Sequence, residues 1–378
     1  MPTDHPAKLD APFTVLVLGG YGNFGTIICE RLCGIHGIKT IVAGRDLGKS
    51  KALADRIGAS SIALDIDQSN LTESIKSIGT HLVISTVGPF QQQDYRVAKA
   101  AIEAGAHYVD LADARSFVCG ITSLDDSARQ KDVLIASGAS SVPALASAVV
   151  DIAQSKFSRL DSIHHGISSS EKTPGVATVA AVLGYCGKPI QQWRDRQWVT
   201  AYGWQDLFAH DFPEPLGRRR MANCDIPDLD LFPARYPSIA TARFSAGVGL
   251  SATQIGTWIL SWLVRVRLIK DASSLASFLR SAAVCMEPFG DRLSGMFVQL
   301  SGIGLDGKPL KWTWDLVAKN NHGPNIPCMA AVALARKLAS GTLSSRGARP
   351  CIGMITLDEY LAELQEFDIS ISERSWTT

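Results

Sequence analysis

Gly19-Gly20-Tyr21-Gly22-Asn23-Phe24-Gly25 stands directly after the apolar run Val15-Leu16-Val17-Leu18 and directly before the helix-like stretch Thr26-Ile27-Ile28-Cys29-Glu30-Arg31-Leu32. A Gly-x-Gly-x-x-Gly spacing set between a strand and a helix is the signature of a dinucleotide-binding turn. Gly22, with Gly19 or Gly20, permits the tight turn and lets the backbone approach a pyrophosphate. Gly25 lets helix and strand pack closely. Asn23 and Phe24 open the helix, whose unpaired N–H groups and positive dipole end face the phosphates. These residues are the first candidate cofactor contacts.

Working outward, strand-like and helix-like stretches alternate from residue 14 to about 155. Strands are expected at Thr14–Leu18, Thr40–Ala43, Ser61–Leu64, Leu82–Ser85, Tyr108–Leu111 and Val133–Ala136, with helices near 24–34, 47–57, 69–77, 93–104 and 118–130. Six short apolar strands with helices between them predict an α/β unit, a doubly wound parallel Rossmann sheet over residues 13–155. Ligands of such sheets bind beyond the carboxyl ends of the strands, so the residues after each strand are where chemistry belongs.

After the second strand comes Gly44-Arg45-Asp46 rather than an acidic strand end. A guanidinium there suits a 2′-phosphate, so Arg45, assisted by Lys49, favours NADP over NAD. After the third strand, Asp65 is placed either to accept from an adenine amino group or to cap a helix starting near Ser69. After the fourth, Thr86, Val87, Gly88 and Pro89 form a small apolar turn suited to a flat cofactor ring. After the fifth, Asp110 and Asp113 put carboxylates in the expected cleft, and Arg115 stands ready to hold substrate or Asp113 itself. After the sixth, Ser141 as cap and Pro143 would start a helix running to about Gln154.

The chain of 378 residues is long enough for two domains, and 46% hydrophobic with 19% charged residues describes a well-cored protein. A formal net charge of +1 gives no bulk pull toward nucleic acid. Eight cysteines lie without a Cys-x-x-Cys pair, which reads as reduced thiols, and the N-terminus carries no apolar signal region; a cytoplasmic location is expected. No zinc spacing or Walker loop competes, and no metal is expected.

Together these pieces resemble the saccharopine dehydrogenase-like family in its NADP-binding domain. They are Gly19 to Gly25, Ala43-Gly44-Arg45, Thr86-Val87-Gly88-Pro89-Phe90, Ala104-Gly105-Ala106-His107-Tyr108-Val109-Asp110-Leu111, and Ser137-Gly138-Ala139 with Pro143. The resemblance covers about residues 13–155 and looks like the bacterial branch rather than the lysine-pathway enzymes. It implies a Rossmann domain, a nicotinamide cofactor and oxidoreductase chemistry on an imine, amino acid or carbonyl compound. Family members usually follow the fifth-strand Asp with a small residue and then Gly-Glu. Here Asp113-Ala114 stands at that place, so the glutamate's role does not carry over with the motif, and no matching arginine clamp for a substrate carboxylate is identifiable. The rival to an enzyme is a non-catalytic NADP-binding sensor or scaffold. Tyr95 and Lys99 spell Tyr-x-x-x-Lys, but after the fourth strand rather than the fifth, and the match is one of chance.

From about Asp151 the alternation ends. Strands are expected at Leu160–Ser168, Gln197–Tyr202, Ile239–Ala246, Met296–Gly302 and Leu310–Ala318, and helices at 176–183, 250–269, 273–285 and 325–339. This predicts a second, α+β domain over 156–378, with a mixed sheet covered by helices, for substrate and dimerisation; the helix at 325–340 is free to pack back on the first domain. Trp204 to Pro237 reads as a long loop or lid. His164 and His322 join Asp110 and Asp113 as catalytic candidates, since histidine is the usual proton carrier near neutral pH. The stretch from Gly247 to Lys270 is apolar, carries Trp258 and Trp262, and ends in Arg265, Arg267 and Lys270. It reads first as a buried or homodimer-interface helix, second as one lying on a membrane surface, and last as a spanning helix.

Overall fold

The computed structural model describes residues 12–91, 93–169, 176–286 and 290–377. The first half runs β1 (Phe13–Leu18), α1 (Asn23–Cys33), β2 (Ile38–Gly44), α2 (Leu47–Ile57), β3 (Ser60–Ala63), α3 (Leu71–Ser77), β4 (Leu82–Ser85), α4 (Arg96–Ala104), β5 (His107–Asp110), α5 (Arg115–Gly120), α6 (Asp125–Gln130), β6 (Leu134–Ser137) and α7 (Ala146–Ala153). The six strands fall where the apolar runs put them. Helices cover both faces, so β1, β4 and β6 are buried at every position, as parallel strands in such a sheet must be. The helix expected over 118–130 is instead α5, a 3₁₀ turn at Ile121–Leu124 and α6.

The second half runs β7 (Phe157–Ser169), α8 (Val176–Leu183), β8 (Pro189–Arg194), β9 (Gln197–Tyr202), β10 (Phe208–Asp211), β11 (Arg218–Asn223), α9 (Asp228–Arg235), β12 (Thr241–Val248), α10 (Ser251–Arg265), α11 (Ala276–Met286), β13 (Ser294–Gly304), β14 (Pro309–Ala318), α12 (Met329–Ala339), β15 (Gly347–Pro350), α13 (Leu357–Ala362) and β16 (Ile369–Thr377).

The first sheet has the order β15-β6-β5-β4-β1-β2-β3, all parallel. Strand order reverses at β1/β4, where Val15 to Leu18 lie beside Leu82 to Ser85. That switch point opens a crevice at the carboxyl ends of the two strands. The seventh strand, β15, comes from the far end of the chain and sits beside β6. The second sheet is mixed: β7 lies between parallel β12 and antiparallel β13, with β14, β16, β11 and β10 outside them and the β8–β9 hairpin attached at β12.

One hydrophobic core joins the two sheets. Val15, Ile28, Val149 and Leu145 from the first half meet Ile163, Phe232, Phe244, Val298 and Trp314 from the second, and α12 lies between them with Met329 to Ala335 all buried. A helix apolar all round is what such a sandwiched position requires.

The stretch from Trp204 to Pro237 is not a lid. It folds as β10, β11 and α9, and Pro213 and Pro215 sit in the turn between the two strands. Proline lacks a ladder donor, so it concentrates in turns and hides short strands from pattern reading. The apolar stretch from Gly247 gives a helix of 15 residues, α10, followed by turns. Among the described residues no helix is long and apolar enough to cross a membrane.

Candidate active site

Gly19 follows β1 with φ of +74°, the left-handed backbone that glycine alone adopts without strain. A Cβ on Gly19 would stand 2.7 Å from Thr86 Oγ1, and one on Gly20 2.9 Å from Val42. A Cβ on Gly25 would run into the carbonyl oxygen of Gly19. Gly22 differs: it is exposed, and a Cβ there meets only Gly19 O at 3.1 Å. The turn is thus closed by Gly19, Gly20 and Gly25, while Gly22 faces open space. Gly22 is also the N-cap of α1, with no side-chain cap and no acidic residue in the first turn. By contrast Asp46 caps α2, accepting from Lys49 N–H. The first N–H groups of α1, beside the exposed Asn23 and Phe24, are left for an outside anion. This cradle fits a dinucleotide pyrophosphate, and the cofactor brings the hydride that oxidoreductase chemistry needs.

Around it, Thr86 donates its hydroxyl to the carbonyls of Leu18 (3.0 Å) and Gly19 (3.1 Å), tying the β4 exit to the glycine turn. Gln93 holds the next residues by donating to Val87 O (2.7 Å) and Pro89 O (3.0 Å). The turn from Thr86 through Gly88 is thereby a fixed wall of the crevice. Tyr21 covers Gly44, where any Cβ would strike its ring, and its hydroxyl accepts from Asp46 N–H (3.2 Å). Arg45 is exposed beside them and makes no hydrogen bond or ion pair among the described residues. Lys49 instead pairs with Asp46 (3.7 Å). Asp65 accepts from Asp67 N–H (3.1 Å), and α3 begins at Leu71 behind Asn70, so Asp65 does not cap it.

The free guanidinium of Arg45 makes the coenzyme preference testable. Arg45→Ala is expected to weaken NADPH by about 1.5–3 kcal/mol at low ionic strength, the worth of hydrogen bonds to a charged group. NADH affinity stays unchanged. Equal losses for the two coenzymes, in parallel titrations, would remove Arg45 from the 2′-phosphate.

Asp110 is fully buried and does not reach the crevice. Its Oδ1 accepts from Gly138 N–H (2.8 Å), Ala112 N–H (2.9 Å) and Ser137 Oγ (2.9 Å), binding the β5 and β6 exits together. Burial pushes its pKa up to about 6, against the lowering effect of those donors.

Asp113 lies at a cavity of about 290 Å³. The cavity is lined from the first half by Gln91, Asp113, Ala114, Arg115 and Ser116, and from the second by Tyr185, Asp225 and Asp230. Asp113 accepts from Gln91 (3.3 Å), not from Arg115. Surrounding protein raises its pKa, an effect that its exposed side chain limits. Arg115 reaches across to the second half. It donates to both oxygens of Asp230 (2.7 Å through Nε), to Asp225 (3.0 Å) and to the carbonyl of Gln191 (2.7 Å). The Asp113–Arg115 pair that the sequence left open is thus replaced by an inter-sheet network. Tyr185 hydroxyl and Cys224 Sγ stand 2.7 Å apart behind the cavity, and burial raises the pKa of both.

The histidines lie elsewhere. Side chains alternate along β7, so His165 turns toward Asp228 (3.0 Å), Phe232 and Phe244, and His164 turns to the other face. There His164 packs on Phe208 and Phe297 with Nε2 3.0 Å from Ser245 Oγ, and burial drives its pKa well below the usual range. His322 accepts from Asp368 N–H (2.8 Å) and sits edge-on to Phe367, pinning a turn. Of Asp110, Asp113, His164 and His322, Asp113 lines the cavity and the other three do not. Asp225 and Asp230 were missed because they lie inside the stretch read as a lid, with their partner Arg115 more than a hundred residues away; Tyr185 precedes that stretch and meets Cys224 within it. Tyr95 donates to Phe117 O (2.8 Å), the bond of a packing residue.

The family model of the saccharopine dehydrogenase NADP-binding domain matches residues 15–153. Among solved structures, the fold is similar to that of apo saccharopine dehydrogenase (L-Glu forming) from Saccharomyces cerevisiae, with 14% identity over 96% of this chain and 99% of that one, at a TM-score of 0.69. It is similar also to homospermidine synthase from Legionella pneumophila in complex with NAD, with 12% identity over 98% and 92% and a TM-score of 0.60. No curated protein matches the sequence. The matched residues contain the glycine turn, the free Arg45 and the fixed wall after β4, and NADP is the coenzyme of that domain. Residues 15–153 are thus similar to the saccharopine dehydrogenase NADP-binding domain, in agreement with the resemblance carried by the sequence.

Proposed function

We propose that the protein is an NADP-dependent oxidoreductase whose small-molecule substrate occupies the cavity between Asp113 and Asp225. The observation that carries this reading is the cavity's place: it lies beyond the carboxyl end of β5, and both halves of the chain line it. Its electrostatics narrow the substrate. Three aspartates face it, and its one lining cation, Arg115, has its donors taken by Asp225, Asp230 and Gln191. A substrate carboxylate would find no free partner there, whereas an imine in its protonated form would. Among imine, amino acid and carbonyl compounds, the imine is favoured. The family's acidic role then falls to Asp113, which faces the substrate, while Arg115 holds Asp225 and Asp230 in place.

Steady-state NADPH consumption with a panel of cyclic and acyclic imines tests this. Asp113→Asn is expected to lower kcat/KM about 10–100-fold, as loss of a charged or proton-handling group does, with NADPH affinity unchanged. An unaltered kcat/KM would exclude Asp113. The second reading, a non-catalytic NADP sensor, is favoured by the absence of histidine from the cavity lining; tight NADPH binding without turnover on the whole panel would establish it. The eight unpaired cysteines support action in a reducing, cytoplasmic compartment. Either a second copy of the chain or a membrane surface is proposed to meet α10.

A further inference from the structure

The helix α10 spends its apolar residues outward. Its inward face buries Gln254 and Ser261 beside Val264, and its outward face exposes Ile255, Ile259, Trp262 and, one turn on, Val266. These four recur at the three- and four-residue intervals of one helical stripe. A surface helix normally turns such a stripe to the core. Leu268 in the turn after α10 is 75% exposed, and Phe278 on α11 is 72% exposed. The inward side is packed within the chain: Val264 packs with Leu183, Trp204 and Ala276, and Gln254 Oε1 accepts from Val248 N–H (2.9 Å). The exposed stripe therefore has no cover among the described residues.

Charge identifies the cover. Arg265, Arg267 and Lys270 close the stripe at one end, and Arg267 and Lys270 meet no carboxylate among the described residues. From 247 to 286 the sole acidic residue is Asp271, which is held by Lys188 (3.2 Å) and Ser273. A second copy laid symmetrically on this face would bring apolar area and, from residues 247 to 286, no acid but the engaged Asp271. An anionic bilayer surface supplies both an apolar boundary layer and negative headgroups. Trp262, with Arg265 over its ring at 4.9 Å, has the amphipathic character of residues at headgroup depth. We propose that α10, the turn through Lys270 and the exposed edge of α11 form a docking surface for an anionic lipid membrane. The protein would lie on the surface, with the helix axis in its plane and nothing crossing.

The test is co-flotation of the full chain with phosphatidylcholine vesicles, with and without phosphatidylglycerol, at low and high salt. The proposal expects recovery with the anionic vesicles, loss of it at high salt, and little binding to neutral ones. Arg267→Gln with Lys270→Gln should reduce partitioning about 25-fold, since each cation near such a surface is worth about fivefold. Ile259→Glu should abolish flotation while NADPH affinity is retained. Leu268→Glu, in an exposed turn, does the same job if Ile259→Glu fails to fold. Absence of wild-type flotation on anionic vesicles would overturn the proposal, as would equal flotation on neutral ones. So would a wild-type dimer in light scattering that Leu268→Glu converts to a monomer.

Discussion

Gly22→Val should leave a folded protein that no longer takes up NADPH. Gly22 has φ of −74° and ψ of 174°, an extended conformation that suits a β-branched residue. A Cβ there comes no closer than 3.1 Å to protein, at the Gly19 carbonyl, so the turn accommodates it with a shift of tenths of an ångström. The two methyl groups then stand over the first N–H groups of α1, where the pyrophosphate must sit. Excluding the diphosphate from that site is expected to weaken NADPH at least about a thousandfold, or about 4 kcal/mol. Thermal unfolding should shift little. Gly25→Ala offers the contrast, since its Cβ strikes the Gly19 carbonyl and must disturb the turn itself. Titration calorimetry beside a melting curve separates the two. NADPH binding by Gly22→Val within threefold of wild type would mean that the phosphates bind elsewhere.

The second large effect concerns pH. Asp110 has a pKa raised to about 6 by burial, against about 3.9 in an unfolded chain. Between those values the folded protein holds a proton that the unfolded chain has released, so stability falls as pH rises through this window. The difference amounts to on the order of 3 kcal/mol at pH 7. Asp110→Asn cannot titrate. Subtracting its denaturant-unfolding free energies from those of wild type isolates the effect, because the other groups cancel. Relative to the Asn variant, wild type should lose on the order of 3 kcal/mol from about pH 4 to about pH 7. A flat difference would show that the donors from Gly138, Ala112 and Ser137 outweigh burial, and that Asp110 is ionised throughout.

Six strands of the first sheet were legible because each is a short run followed by its own helix, and all but β3 are largely buried. The glycine turn was legible because its spacing has a reason at each position: a Cβ at Gly19, Gly20 or Gly25 would strike the protein, and Gly22 leaves space open over the start of α1. The seventh strand was not, since Gly347–Pro350 reaches β6 from more than two hundred residues away and no local pattern encodes that neighbour. For the same reason the sequence offered Arg115 only a substrate or nearby Asp113, although its partners come from the segment around α9. Adjacent His164 and His165 could not be sorted by the sequence, because alternation says that one faces away without saying which. The stretch after Gly247 showed its apolar content and basic end plainly. Its outward apolar stripe, set opposite buried Gln254 and Ser261, became visible only with the helix in place.

Calorimetric titration of the wild-type chain with NADPH, repeated with NADH, decides whether the glycine turn holds a dinucleotide. The account predicts one site per chain for NADPH, with a dissociation constant between about 1 μM and 1 mM as for ordinary enzyme–substrate pairs, and weaker uptake of NADH. Folded protein that releases no heat with either coenzyme, over concentrations spanning that range, would contradict it.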